Sequence, residues 1–171
     1  MTDRPIIFNE PMIRALAKGK KTQTRILVRH HLSKAVVGDR LWVRETWANF
    51  EGGRDELSFR ATSTGAFLDW VEGEELRWIP SVHMPRWASR FTLEITDVSS
   101  EGVQDIDEHE AIMEGVVANT DWIDPRAKFA SIWNSIYTVR GERWGDNPRV
   151  TVLTFKVVPG NIDAITKGEA Q

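Results

Sequence analysis

Gly19-Lys20-Lys21-Thr22-Gln23-Thr24-Arg25 packs three cations and two hydroxyls into seven residues, directly after a short helix expected from the residues before it. Asn9 suits the N-cap of that helix, Pro11 its first turn and Gly19 its end, with Ile13, Leu16 and Ala17 as its apolar stripe. Lys21 and Thr24 stand three apart, close enough for an amine to reach a hydroxyl if the segment curls as a loop. An amine beside a hydroxyl is one way to activate a weak nucleophile. Clustered cations with hydroxyl donors also suit phosphate. The plainer alternative is a solvated basic turn at a helix C-terminus.

Outward from this stretch, the order reads helix, strands, helices, strand, with strands too widely spaced for a plain meander. Gly38-Asp39 is a turn signal, and Arg40-Leu41-Trp42-Val43-Arg44 alternates like a half-buried strand. Ile6-Ile7-Phe8, Ser58-Phe59-Arg60-Ala61, Phe91 to Thr96 and Val150 to Phe155 are further strand candidates. Residues 62–80, with Gly65, Gly73 and Pro80, predict a long loop. Asp107 and Glu110 form a capping box for a helix that Gly115 stops. Asp124-Pro125 opens another helix, whose Phe129, Ile132, Trp133 and Ile136 fall at i, i+3, i+4 and i+7. The tail from Pro159 to Gln171 reads as polar and frayed. This order predicts an α+β fold, a small mixed β-barrel with helices packed around it.

The composition narrows the chemistry. The 171 residues suit one domain, or one domain with an insertion. With no cysteine, disulfides, thiolate catalysis and cysteine-ligated zinc are excluded. The four histidines, His30, His31, His83 and His109, lack metal-binding spacing, so no metal and no cofactor is expected. No apolar run reaches the roughly 20 residues needed to span a bilayer, and the N-terminus is too polar for a signal peptide. A cytoplasmic protein is expected.

Net charge is −3, but it is unevenly placed. Arg14 to Arg44 holds nine Lys and Arg against one acid, whereas Glu94 to Asp124 holds ten acids and no Lys or Arg. Such segregation can build a positive face for a polyanion, or the two segments can pack together and neutralise each other. Among eight tryptophans, Trp133 reads as core. Trp47, Trp78 and Trp87 lie among arginines and prolines, where they could stack on bases or fill a small core. Glu45 could pair with a neighbouring arginine.

Taken in order, several blocks resemble the ASCH domain family, and its longer phage and prophage members in particular. They are Ile6-Ile7-Phe8-Asn9 with Met12; Gly19 to Arg25; Gly38 to Trp47; Pro80 to Arg90; Asp105-Ile106 leading to Ala111-Ile112-Met113-Glu114-Gly115; and the Trp133 and Asn147-Pro148 blocks. The resemblance covers about residues 5–158. It implies a PUA-like mixed β-barrel of about five to six strands with flanking α-helices, in a single domain over 1–158. An insertion falls at about 46–88, and a polar tail at 159–171. A bacterial host or phage origin goes with it.

The resemblance also implies RNA or a modified nucleobase as ligand, with DNA a further candidate partner. Some small members of the family resemble amidohydrolases acting on acetylcytidine. Carried over from them, Lys21 would be the base, Thr24 the nucleophile and Glu114 the acid or orienting group. As a binding domain, the chain would use Lys20, Lys21, Arg25 and Arg44 toward phosphates, with Trp47 or Trp87 stacking on a base and Thr22 also in the ligand-binding set. Glu45, His83, Arg86 and Arg90 would complete the ligand-binding set. Lesser alternatives are a ribonuclease using His83 with Lys21, and a non-enzymatic phage interaction protein.

Overall fold

The computed structural model describes residues 1–49, 57–63, 77–117 and 124–168. The Gly65 and Gly73 positions of the expected long loop, and the last three residues of the tail, lie outside these. The fold is α+β. Five strands form a mixed sheet in the order β1 (Asp3–Ile7), β3 (Arg40–Arg44), β6 (Phe91–Gly102), β7 (Arg149–Pro159) and β2 (Gln23–Leu27). A second sheet pairs β4 (Trp47–Asn49) with β5 (Leu57–Phe59). Among the described residues the helices are α1 (Glu10–Ala17), α2 (Glu108–Met113), α3 (Pro125–Ile136) and α4 (Ile162–Gly168). The expected closure into a barrel is not formed among the described residues, because β1 and β2 stand at the two edges of the large sheet. Among the described residues, no helix is long and apolar enough to cross a membrane.

The described chain falls into two compact units. One comprises Met1–Arg14, Arg40–Leu93 and Val157–Gln171; the other comprises Ala15–Asp39 and Glu94–Lys156.

In the second unit, the segment read as a loop is a strand from Gln23 onward. β2 runs antiparallel to β7, with Gln23 opposite Thr154 and Leu27 opposite Val150, and all five of its residues are buried. Thr24 and Ile26 are β-branched and suit a pleated, covered surface. Two further bonds pin the lead-in: Thr22 N–H donates to Met113 O, and Phe155 N–H donates to Thr22 O. Helix α2 has the expected capping box. The Asp107 carboxylate accepts from Glu110 N–H and the Glu110 carboxylate accepts from Asp107 N–H. Gly115 ends it with φ +93°, a conformation that suits glycine. Phe129 and Trp133 of α3 pack with Leu27, Ile106, Ala111, Val150 and Val152 in one core. Ile136, at the end of the expected stripe, is exposed, because α3 stops there.

In the first unit, β1 and β3 are parallel, with Ile6 opposite Val43. The sequence suggested a half-buried β3, yet Arg40 to Val43 are all buried. Arg40 tolerates burial because Asp3 meets its guanidinium through two 3.0 Å hydrogen bonds. In α1 the Asn9 side chain accepts from Met12 N–H, as a cap should, but Ala15 rather than Ala17 joins Ile13 and Leu16 in burial. The tail is not frayed at its start. The Asn161 amide donates to Arg86 O and Ser89 O at 2.7 and 2.9 Å, and Ile162 is fully buried.

Candidate functional site

Lys21 is the most deeply buried charged side chain of the second unit, at 0% exposure. Its ammonium donates to Gln23 O at 2.8 Å, to Glu114 O at 2.7 Å and to Glu114 Oε2 at 3.2 Å. An ammonium carries three N–H groups, and three acceptors face it. Helix α2 supplies two of them because its C-cap is Glu114, and Gly115 turns the chain back over the lysine. A Cβ at Gly115 would stand 3.0 Å from Ala15 Cβ and 3.3 Å from Lys21 Cβ, so a side chain there would crowd both neighbours and require them to shift by a few tenths of an ångström.

Arg25 completes the cluster. Its Nη1 donates to Glu114 Oε1 at 3.2 Å and to Gln23 Oε1 at 3.1 Å, and its Nε donates to Glu101 Oε1 at 2.8 Å. Nη2 lies 2.8 Å from Glu101 and 3.0 Å from Glu110, but is angled so that these are ion-pair contacts rather than aligned hydrogen bonds. Glu114 thus gives one oxygen to each cation. Two cations meet three carboxylates, leaving the cluster one negative charge in excess.

Burial pushes the Lys21 ammonium below its ordinary proton affinity. The Glu114 carboxylate opposes that shift, and the Arg25 charge adds to it. Burial also works against the charge on Arg25, but Glu114, Glu101 and Glu110 outweigh it, and its proton is held more tightly than usual.

Three of the expected residues, Lys21, Glu114 and Arg25, therefore converge. Arg25, expected at phosphates, faces carboxylates instead. Thr24 is buried in β2 and, by strand alternation, sits on the opposite face from Gln23 and Arg25. Thr22 is half-buried and Lys20 is exposed. Sequence reading missed Gln23, Glu101 and Glu110. Glu110 was legible only as a capping residue, and Glu101 only as one acid in an acidic run. The uneven charge had already indicated that the acidic segment could neutralise the basic one, and here Glu101, Glu110 and Glu114 do so for Lys21 and Arg25.

The first unit holds a separate arginine–aromatic cluster. Glu45, 2% exposed, accepts from Arg90 Nε at 2.8 Å and Nη2 at 2.9 Å. The Arg90 guanidinium lies 4.1 Å above the Phe59 ring and 4.9 Å from the Phe91 ring. Its Nη1 donates to the Thr62 hydroxyl at 3.0 Å. Burial raises the Glu45 carboxyl above its ordinary value, and Arg90 only partly offsets this.

Trp47 packs with Met84 and Ala88, and meets Trp87 edge-on at 5.8 Å. Its indole N–H has no hydrogen-bond partner. Arg44 donates to Met84 O at 3.2 Å and lies 4.9 Å from the Trp42 ring. Arg86 is shared between Asp3 and Asp163, and His83 is exposed. Arg86 and Arg90, read as ligand contacts, are thus ion-paired within the protein. Among the described residues, no group of three or more His, Asp or Glu is arranged to hold a metal.

No family model and no curated protein matches the chain. Solved structures do. Hypothetical protein PH0355 aligns with a TM-score of 0.51 and 12% identity over 92% of this chain and 100% of that one. Protein EF3133 from Enterococcus faecalis V583, with family-model DUF984, aligns with a TM-score of 0.50 and 12% identity over 95% and 83%. At these identities the likeness is one of fold. An ASCH domain from Lactobacillus crispatus JV V101 aligns with a TM-score of 0.46 and 16% identity over 92% and 80%.

Proposed function

We propose that this protein binds a nucleic acid or a modified nucleobase, and that the Lys21–Arg25–Glu114 cluster addresses the base rather than the phosphate. One observation carries this reading. The two cations of the motif that best suited phosphate, Lys21 and Arg25, are buried and met by carboxylates, while Lys18 and Lys20 just before them are exposed. Exposed lysines suit phosphate contacts. A buried set of ammonium, guanidinium and carboxylates suits the donors and acceptors of a base edge. The motif resemblance to ASCH domains supports the same ligand class.

A second reading is favoured by the desolvation of Lys21: deacylation of an acetylcytidine-like nucleoside. The Thr24 hydroxyl leaves β2 on the other face, so the nucleophile in this reading is water: neutral Lys21 would take its proton as the oxygen attacks the acyl carbonyl. The C–N bond breaks, the base amine leaves with that proton, and a carboxylic acid remains. Glu114 orients Lys21 throughout.

One experiment tests both readings. Purified protein is incubated with acetylcytidine and titrated in parallel with cytidine and with RNA and DNA oligomers at two salt concentrations. Product from wild type, but not from Lys21→Ala, supports deacylation. Binding without product supports recognition alone. In the oligomer series, Lys20→Ala should lower affinity and flatten its salt dependence. Absence of both product and binding across all of these ligands overturns the proposal.

A further inference from the structure

We propose that Arg25 is a positioning residue that, by occupying one oxygen of Glu114, divides this carboxylate between two cations and so frees Lys21 to give up a proton. This rests on the reading of Lys21 as a base. The geometry supports the division directly: Glu114 Oε1 lies 3.2 Å from Arg25 Nη1 and Oε2 lies 3.2 Å from Lys21 Nζ. A carboxylate given wholly to Lys21 would hold it as an ammonium, since an opposite charge at this distance favours the charged form. Arg25 resists drifting toward Lys21's partners because Glu101 and Glu110 hold its far side. Its planar fork can reach Glu101 and Glu114 together, which a compact ammonium cannot.

The groups facing this cluster are few. From β2 come Lys21's neighbour Arg25 and the Gln23 carbonyl and amide. From β6 comes Glu101, and from α2 come Glu110 and Glu114. The Tyr137 hydroxyl, just past α3, lies within the field of Glu114. Among the described residues no histidine faces this cluster, so a titration near neutral or alkaline pH reports Lys21 and not a neighbouring imidazole.

The test is a nuclear magnetic resonance titration of the Lys21 side chain in protein labelled at lysine Cε, with the signal assigned by its loss in Lys21→Met. Wild type is compared with Arg25→Gln and with the double variant Arg25→Gln/Glu110→Gln. The double variant removes one charge of each sign, so it keeps the cluster's net charge, and glutamine at 110 still serves the capping box. We expect the Lys21 midpoint to rise in both variants, by about one pH unit or more, a tenfold tighter proton. If Arg25→Gln does not fold, the double variant decides. A midpoint unchanged or lowered in the folded variant overturns the proposal. The titration needs no substrate, so absence of turnover would sink the deacylation reading while leaving this result to stand or fall by itself.

Discussion

Glu114→Gln should destabilise the protein through Lys21, and a double-mutant cycle can isolate that coupling. The substitution keeps the size of residue 114 and its backbone carbonyl, so Lys21 retains bonds of 2.8 and 2.7 Å to Gln23 O and Glu114 O. Arg25 retains Glu101 and Glu110. What is lost is the Glu114 carboxylate, 3.2 Å from the Lys21 ammonium at a site with no exposure. Breaking a buried pair from one side costs about 3–5 kcal/mol. The surviving carbonyls place this case near the lower end, at about 3 kcal/mol, or a fall in Tm of about 6–12 °C for a chain of this size. Lys21→Met strands two carbonyls and a carboxylate oxygen together, and should cost about 4–5 kcal/mol. In Lys21→Met/Glu114→Gln the charge each would leave behind is gone, so the double variant should be more stable than the sum of the singles by about 1.5–3 kcal/mol. Urea unfolding followed by circular dichroism, with midpoint and slope fitted separately, measures all four proteins. A coupling below about 0.5 kcal/mol would refute the argument that these two charges depend on each other.

Other expectations follow from the same geometry. The Lys21 ammonium is held less tightly folded than unfolded. The unfolded chain therefore binds more protons in the window below 10.5, and stability should rise with pH through it. Stability measurements between pH 8 and 10 should show that rise in wild type and its loss in Lys21→Met. Glu45 has the opposite sign. Its folded carboxyl holds its proton above the ordinary 4.5, so its contribution to stability falls as pH rises through that value. Arg90→Met strands the buried carboxylate and should cost about 3 kcal/mol at neutral pH. Melts at pH 5 and pH 8 should show a smaller loss at pH 5; equal losses would rule the mechanism out. Gly115→Ala should cost about 2 kcal/mol, from its positive φ and a Cβ 3.0 Å from Ala15 Cβ, with thermal unfolding as the readout. Asp107→Ala should remove about 1 kcal/mol by uncapping α2, again read as a drop in Tm.

Much of the element order was legible because it depends on neighbours in sequence. The Asp107–Glu110 box, the Gly115 stop, the Asp124-Pro125 start and the strands at Phe91–Thr96 and Val150–Phe155 follow local rules, and each appears in the structure, although the expected alternation of Phe91–Thr96 does not: Phe91, Thr92 and Leu93 are all buried. The same local rules misread two places. Lys21 to Thr24 reads locally as a loop. From Gln23 onward it is a strand, because β7 pairs with it and because Glu101, Glu110 and Glu114, 76 or more positions from Arg25, meet its charges. The start of the tail was taken as frayed, yet Asn161 ties it to carbonyls of Arg86 and Ser89, which no local pattern announces.

The sequence by itself determined the residue types available for chemistry. There is no thiol, the histidines have no metal-binding spacing, and one short motif carries an amine, hydroxyls and a guanidinium. It also determined that basic and acidic segments must meet either a ligand or each other. Only the tertiary structure decided between those two outcomes for Lys21 and Arg25, which are met by Glu101, Glu110 and Glu114. The reason is physical. A charge can be buried only where a counter-charge and hydrogen-bond partners are fixed around it, and those partners come from distant segments whose approach is set by the packing of the core.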